Sequence, residues 1–246
     1  MSGHSKWATI KHAKGAADAK RGQMFTKLIK EISIAARMGG GSLDGNPRLR
    51  TAILKARAAN MPKDNIDRAV KKGTGELEDV NYEELIYEAF APGGVAIFIE
   101  VLTDNKNRAA ADIRNILTRA GGQLATTGSV SRLFKRMGII TLSGEKYTED
   151  AIMEVAIESG AEDVTASDGI IEVTSAPEDF ESVLNALQAK EIETISAEVN
   201  MVADAEVTLD NEATAKALRL IDKLEENEDV QHVYSNIAIP EGYDAG

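Results

Sequence analysis

Cysteine is absent from this chain. That excludes a disulfide framework, a thiol nucleophile and any zinc site built on thiolates, and it suits a reducing cytoplasm. Aromatic residues make up only 4%, so aliphatic cores are expected. No apolar run approaches the roughly 18 residues that a bilayer-spanning helix needs, and the most apolar stretch, VAIFIEVL, already contains Glu100. The opening residues MSGHSKW hold no apolar leader. A cytoplasmic protein without membrane contact is the expectation. Catalytic signatures are missing as well: there is no phosphate loop ending in Gly-Lys-Ser/Thr, no GxSxG, no HExxH and no dinucleotide fingerprint. The APGG stretch lies between two strand-like runs and reads as a hairpin turn. His4, His12 and His232 are few and have no cysteine to share a metal with. The chain therefore reads as no enzyme, with no metal, no cofactor and no small-molecule substrate.

What is present is ordinary in amount and unusual in placement. Hydrophobic residues at 43% and charged residues at 28% over 246 positions suit two or three packed domains. The formal net charge of -12 conceals a split. Residues 1–75 hold ten lysines and six arginines against five acids, a net +11, whereas the remainder holds 12 bases against 35 acids, a net -23. Most of the early bases lack an acid within their own segment. Such asymmetry points to a polyanion, nucleic acid before acidic protein or membrane headgroups.

The basic part reads as helical. In KRGQMFTKLIKEISIAARMGGG, Phe25, Leu28, Ile29, Ile32, Ala35 and Ala36 recur at three- and four-residue steps and form a core-facing stripe. Lys20, Lys27, Lys30 and Arg37 fall roughly opposite, which predicts an exposed basic ridge. A second helix is expected from Asn46 as N-cap and Pro47 at the first position, with Leu49, Ile53 and Ala56 inward and Arg48, Lys55 and Arg57 outward. A third, KDNIDRAVKKG, ends in Lys71 and Lys72 before Gly73. Trp7, between Lys6 and Lys11, is placed either to stack on a base or ribose or to anchor its segment on the helical core.

From Tyr82 the pattern is mixed α/β. YEELIYEAF and VAIFIEVL form a hairpin, NKNRAAADIRNILTRAGG a helix, and SVSRLFKR a strand. The strand GIITL, a helix, a hairpin turning on Asp168-Gly169, a helix and the strand ETISAEVNMV follow, then the strand AEVTLD, a helix and VQHVYSNIAI. Two βαβ-type units account for this order, and the spacing leaves open whether the tail returns to the first. At the strand-to-helix junction TDNKNR, Lys106 and Arg108 sit beside free N–H groups at the positive end of a helix, an arrangement suited to a second phosphate.

GHSKWATIKHAKGAADAKRGQMFTKLIKEI, NPRLRTAILKARAANMPKDNI, YEAFAPGGVAIFIEVLTDNKNR and GGQLATTGSV together resemble the YebC/PmpR family over essentially the full length. The resemblance implies an α+β protein of three domains. It has a helical N-terminal domain and two ferredoxin-like α/β domains, the third inserted in the second. The segments expected are 1–75, then 76–136 with 205–246, and the inserted, acidic 137–204. The family comprises probable transcriptional regulators that bind DNA, and members that act in translation on the ribosome and relieve stalls. By match to its opening motif, Lys6, Trp7, Lys11, Lys14, Lys20 and Arg21 are expected to meet nucleic acid. Lys27, Lys30, Arg37, Arg48, Lys55 and Arg57 join them on physical grounds. The leading expectation is a DNA-binding transcriptional regulator, and the alternative is a ribosome-associated factor gripping ribosomal RNA.

Overall fold

The structure, a computed structural model, describes residues 19–78, 80–240 and 243. The expectations on Lys6, Trp7, Lys11 and Lys14 lie outside the described residues. Three helices open the described chain: α1 (Ala19–Gly39), α2 (Pro47–Ala58) and α3 (Lys63–Gly73). Their apolar stripes close one core around Ile32, Ala35, Leu49, Ile53 and Ile66, with Phe25, Leu28 and Ile29 packed at its edge. Among the described residues, none outside the three helices and their connections contributes to that core.

Two positions fix how these helices meet. The buried Asn46 caps α2 by accepting from Leu49 N at 3.0 Å, and its amide donates to the carbonyls of Ala35 and Gly40 at 2.7 and 2.8 Å. One side chain thus satisfies free backbone groups at the start of α2 and the end of α1. Gly73, at the end of α3, lies against α1 so closely that a Cβ would come within 2.2 Å of the Ser33 carbonyl oxygen. It is a packing position as well as the helix stop expected from sequence.

Strands β1 (Glu83–Ala91) and β2 (Val95–Thr103) pair in an antiparallel hairpin, followed by α4 (Lys106–Arg119) and the short β3 (Gln123–Leu124). The next six elements form a separate unit: β4 (Phe134–Ser143), α5 (Glu149–Glu158), β5 (Ala161–Ser167), β6 (Ile170–Ser175), α6 (Phe180–Ala189) and β7 (Ser196–Ala203). Then come β8 (Val207–Thr208), α7 (Asn211–Glu225), β9 (Val230–Ser235) and β10 (Ile237–Ala238). The first four-stranded sheet runs β3-β1-β2-β9, and the second runs β5-β6-β4-β7. Because β9 pairs with β2, the tail does return to the first unit and the second is an insertion.

Every pairing in both sheets is antiparallel. The βαβ units expected from sequence are thus split, each with one strand threaded between its parallel pair, as in ferredoxin-like folds. The inserted unit has the regular order βαββαβ. In the other, the strand threaded between β2 and β3 is β1, which precedes both. Both sheets carry their helices on one face. Beneath α4 and α7 lies the larger core, including Ile97, Ile99, Ile113, Leu117, Ile221 and Val233.

The connection into the insertion departs from expectation. The stretch SVSRLFKR is a strand only from Phe134, and Ser131–Leu133 is a single 3-10 turn. The buried carboxylate of Glu88 explains this, since it accepts from the backbone N–H groups of Gly128, Val130 and Ser131. Those donors serve a fixed anion and not a neighbouring strand. Likewise AEVTLD is reduced to β8, which pairs in parallel with β10.

Replacing Asn46 by Ala removes a cap and leaves two carbonyls without their donor. A loss of about 2–3 kcal/mol in unfolding free energy is expected. Urea denaturation followed by circular dichroism measures it, and a loss under about 0.5 kcal/mol contradicts the role assigned to Asn46.

Candidate nucleic-acid interface

Helix α1 places its basic residues as its periodicity requires, opposite the core stripe. That face is not a free ridge. Lys30 is buried, 7% exposed, and its Nζ lies 2.7 Å from Asp229 Oδ1 and 3.0 Å from the Glu228 carbonyl. It also stands 5.8 Å over the ring of Tyr82, within reach of a cation–π contact. Lys27 Nζ donates to the Glu225 carbonyl at 2.5 Å. Both lysines therefore meet carbonyls at and just beyond the C-terminal end of α7, where the helix dipole favours a cation. Arg37 donates to Asn81 Oδ1 at 2.7 Å and to the Val80 carbonyl at 3.0 Å. Lys20 and Arg21 occupy the first turn of α1, and their side chains lie outside the described set.

Helix α2 repeats the pattern on one flank. Arg48 forms a bidentate pair with Glu31 at 2.7 and 2.9 Å and reaches Glu84 on β1 at 2.5 Å. The Glu31 hydrogen bond, followed by the one to Glu84, outweighs burial and raises the guanidinium pKa further above its ordinary value. Lys55 pairs with Glu198 on β7 at 2.6 Å. The ridge expected to be exposed at Lys27, Lys30 and Arg37 is thus corrected, while Arg48 is half-buried and Lys55 faces outward as expected but is paired. Lys27, Lys30, Arg48 and Lys55 contact the α/β body, and Arg37 the connection leading into it. A helical wheel separates two faces but does not say whether water or another domain covers the second.

The same correction applies to the second phosphate site. Asn105 caps α4 by accepting from Arg108 N at 3.0 Å. Lys106 pairs with Glu83 at 3.0 Å, and Arg108 pairs with Asp104 at 2.6 Å and Asp229 at 2.9 Å. An anion does sit between Arg108 and Lys30, but it is the carboxylate of Asp229. Burial opposes the ionisation of Asp229, yet the hydrogen bonds and charges of Lys30 and Arg108 win and hold its pKa below 3.8. The Asp229 hydrogen bond is also the main reason that Arg108 is raised.

Arg57 behaves as expected. It lies two residues from Lys55, about 200° around α2, and is exposed. Lys63, Arg68 and Lys71 on α3 are exposed and Lys72 half-buried. Among the described residues, none of these five forms an ion pair. Sequence reasoning assigned Lys71 and Lys72 only to the helix dipole and passed over Lys63 and Arg68. The signal was the inward set Ile66, Ala69 and Val70, which turns Arg68, Lys71 and Lys72 outward. Asp64 and Asp67 share that exposed side.

Among the described residues there is no cluster of three or more His, Asp or Glu able to hold a metal, and no helix is long and apolar enough to cross a membrane. His232 stacks on Tyr234, with ring centroids 5.9 Å apart.

Residues 5–76 match the model of the TACO1/YebC protein N-terminal domain, and residues 82–237 match that of the TACO1/YebC second and third domain. The chain belongs to the TACO1/YebC family. A relative from Treponema denticola, named "Probable transcriptional regulatory protein", is 67% identical over 99% of both chains. One of the same printed description from Desulforapulum autotrophicum is 54% identical over the whole of both. A crystal structure of a conserved hypothetical protein from Aquifex aeolicus superposes with a TM-score of 0.81 at 44% identity, covering 91% of this chain and 93% of that one. The α+β architecture with an inserted third domain is therefore that of the family.

Asp229 supplies a pH signature. Its folded pKa is depressed, so the stability it contributes is present above its unfolded value near 3.8 and is lost as pH falls through the lower folded value. Asp229→Asn should lower the stability of the full chain by about 3 kcal/mol at pH 7, with the deficit shrinking as pH falls below 3.8 and through the depressed folded value. Paired thermal melts across that range test it, and a deficit independent of pH contradicts the assignment.

Proposed function

We propose that this protein is a nucleic-acid-binding regulator of gene expression that grips phosphate backbones with its helical N-terminal domain. The observation that carries this reading is the set of cations left without an ion pair on that domain. Arg57, Lys63, Arg68, Lys71 and Lys72 add to the lysines and arginine of residues 3–22, within a segment of net charge +11. Cations held on rigid helices bind a backbone by charge and by releasing its condensed counterions. The names of the relatives support a transcriptional role, and a DNA duplex is the ligand this reading puts first.

Single-stranded or ribosomal RNA is the second reading, and one observation favours it. The exposed side of α3 presents Arg68, Lys71 and Lys72 beside Asp64 and Asp67. It lacks the run of Asn, Gln and Arg that reads base edges in a major groove, and phosphate contacts alone position without specifying. The proposed mechanism needs no bond-making step. The helical domain supplies charge, and the acidic body carries and orients it.

Charge reversal at Lys11, Lys14, Lys20 and Arg21 in the full chain should abolish binding to a labelled 30-base-pair duplex and to a 30-nucleotide RNA at low salt. Reversal at Lys71 and Lys72 alone should weaken binding and flatten the log–log salt dependence by about 0.9 per lost duplex contact or 0.7 per single-strand contact. If the unaltered protein binds neither probe, the reading fails. Crosslinking in growing cells then separates promoters from discrete ribosomal RNA positions.

A further inference from the structure

We infer that the acidic body masks a second nucleic-acid-binding face of the helical domain, and that a phosphate backbone displaces the body's carboxylates to expose it. The face comprises Lys27, Lys30, Arg37, Arg48 and Lys55. It rests on the nucleic-acid reading above and adds a regulation to it: the chain carries its own competitor.

Three observations carry the inference. First, all five cations of this face are engaged by oxygens of the body or of the connection leading into it. Asp229 holds Lys30, Glu84 holds Arg48 alongside Glu31 of the helical domain itself, Glu198 holds Lys55, the Glu225 carbonyl holds Lys27, and Val80 and Asn81 hold Arg37. Carboxylates spaced along one surface present to these side chains what successive phosphates would present. Asp229 is the clearest case, since it fills an anion position between Lys30 and Arg108 beside the N-terminal end of α4.

Second, the contact is polar where a permanent one would be apolar. The helical domain closes its own core from its own three helices. It meets the body through ion pairs, of which Arg48–Glu84 and Lys55–Glu198 have exposed partners at 37% and 50%, and 42% and 39%. The inserted domain is attached differently. There Phe98, Phe134, Tyr234 and Val130 form a shared apolar cluster, with Met201 and Ala203 against it, and the Phe98 ring lies 6.1 Å from that of Phe134. Polar interfaces between domains of one chain are the ones that open. Third, one connection, residues 74–82, joins the helical domain to the body, so release breaks no second covalent tether.

The face differs in consequence from the outer one. Arg57, Lys63, Arg68, Lys71 and Lys72 are available to a backbone in the docked arrangement, so they make the first contact. Exchange of the three inner carboxylates, and of the neutral oxygens that hold Lys27 and Arg37, for phosphates then adds up to five contacts, and the domain that begins by touching the ligand ends by closing on it. The exchange keeps Lys30, Arg48 and Lys55 paired with an anion while freeing the three carboxylates to water.

The double variant Glu84→Gln/Glu198→Gln tests this in the full chain with little threat to folding, because both carboxylates are exposed. It should bind the 30-nucleotide RNA or the 30-base-pair duplex about tenfold more tightly than the unaltered protein, with a salt slope steeper by at least about 0.7. The control Glu154→Gln/Glu158→Gln removes the same charge from exposed positions on α5 and should change neither. A carbodiimide forms an amide between Lys55 Nζ and the Glu198 carboxyl with loss of water, the water being taken up by the reagent. The cross-linked fraction, identified by peptide mapping, should bind with the weaker affinity and shallower slope, and saturating nucleic acid should suppress the cross-link. Equal affinity and slope for the double variant and the unaltered protein overturn the masking, as does an equal gain in the control. Failure of the unaltered protein and of every variant to bind at low salt overturns the nucleic-acid reading itself.

Discussion

The described structure turns on one buried carboxylate. Asp229 lies just ahead of β9, in the last crossover of the α/β body, and accepts from Lys30 of the helical domain and Arg108 of α4. Lys30 could not be buried there alone, because an uncompensated charge removed from water costs several kcal/mol, whereas Arg108 reaches the carboxylate from an exposed position. Asp229 equally depends on them. The three therefore define one docked arrangement of α1, α4 and the start of β9, and the neighbouring contacts follow from it. Lys27 meets the end of α7 because Lys30, one turn further along α1, is fixed beside it. Arg48 reaches Glu84 because the α1–α2 packing, set by Asn46 and Gly73, carries α2 toward β1.

This geometry explains how a chain can be strongly basic at one end and strongly acidic elsewhere without the two parts simply neutralising. Ion pairs join them at a few fixed points along one face of α1 and one flank of α2. Among the described residues, Arg57, Lys63, Arg68 and Lys71 stay exposed and take no part in those pairs. The inserted domain holds two lysines against sixteen acids over residues 137–204, yet it is seated by aromatic and aliphatic contacts and by Glu88, whose carboxylate gathers three backbone donors at its entry. Of its sixteen acids, Glu198 meets the helical domain through Lys55, so only a small part of its charge is spent on that contact.

The fold was legible wherever local pattern decides it. The inward stripe of α1, the Asn46–Pro47 start of α2 and the Asp168-Gly169 turn, where both residues take positive φ, follow from periodicity and capping. What periodicity could not supply was the partner of each outward face. Lys30 and Arg57 look alike in sequence, both basic and both opposite a core stripe, and one is buried against Asp229 while the other faces water. The difference lies about 200 residues away in the chain. Glu88 was hidden for a similar reason, since an acid in an alternating strand reads as a solvent-facing position until the loop that wraps it is seen. At the TDNKNR junction the carboxylate beside Arg108 comes from Asp229, of which sequence spacing gives no sign.

That internal carboxylate bears on why the body is acidic at all. A free +11 domain would hold any polyanion it met, with an affinity set almost wholly by salt. Five of its cations are instead committed to internal oxygens, and the rest of the chain carries a net charge of -23. On the reading proposed here, a ligand must offer phosphates spaced well enough to replace all of those oxygens, against the repulsion of the remaining carboxylates. Discrimination then comes from the cost of rejecting wrong polyanions and not from direct reading of bases, which is consistent with an α3 surface that carries charge but no base-reading pattern. The acidic body and the basic domain are in this sense one device, and neither charge is interpretable without the other.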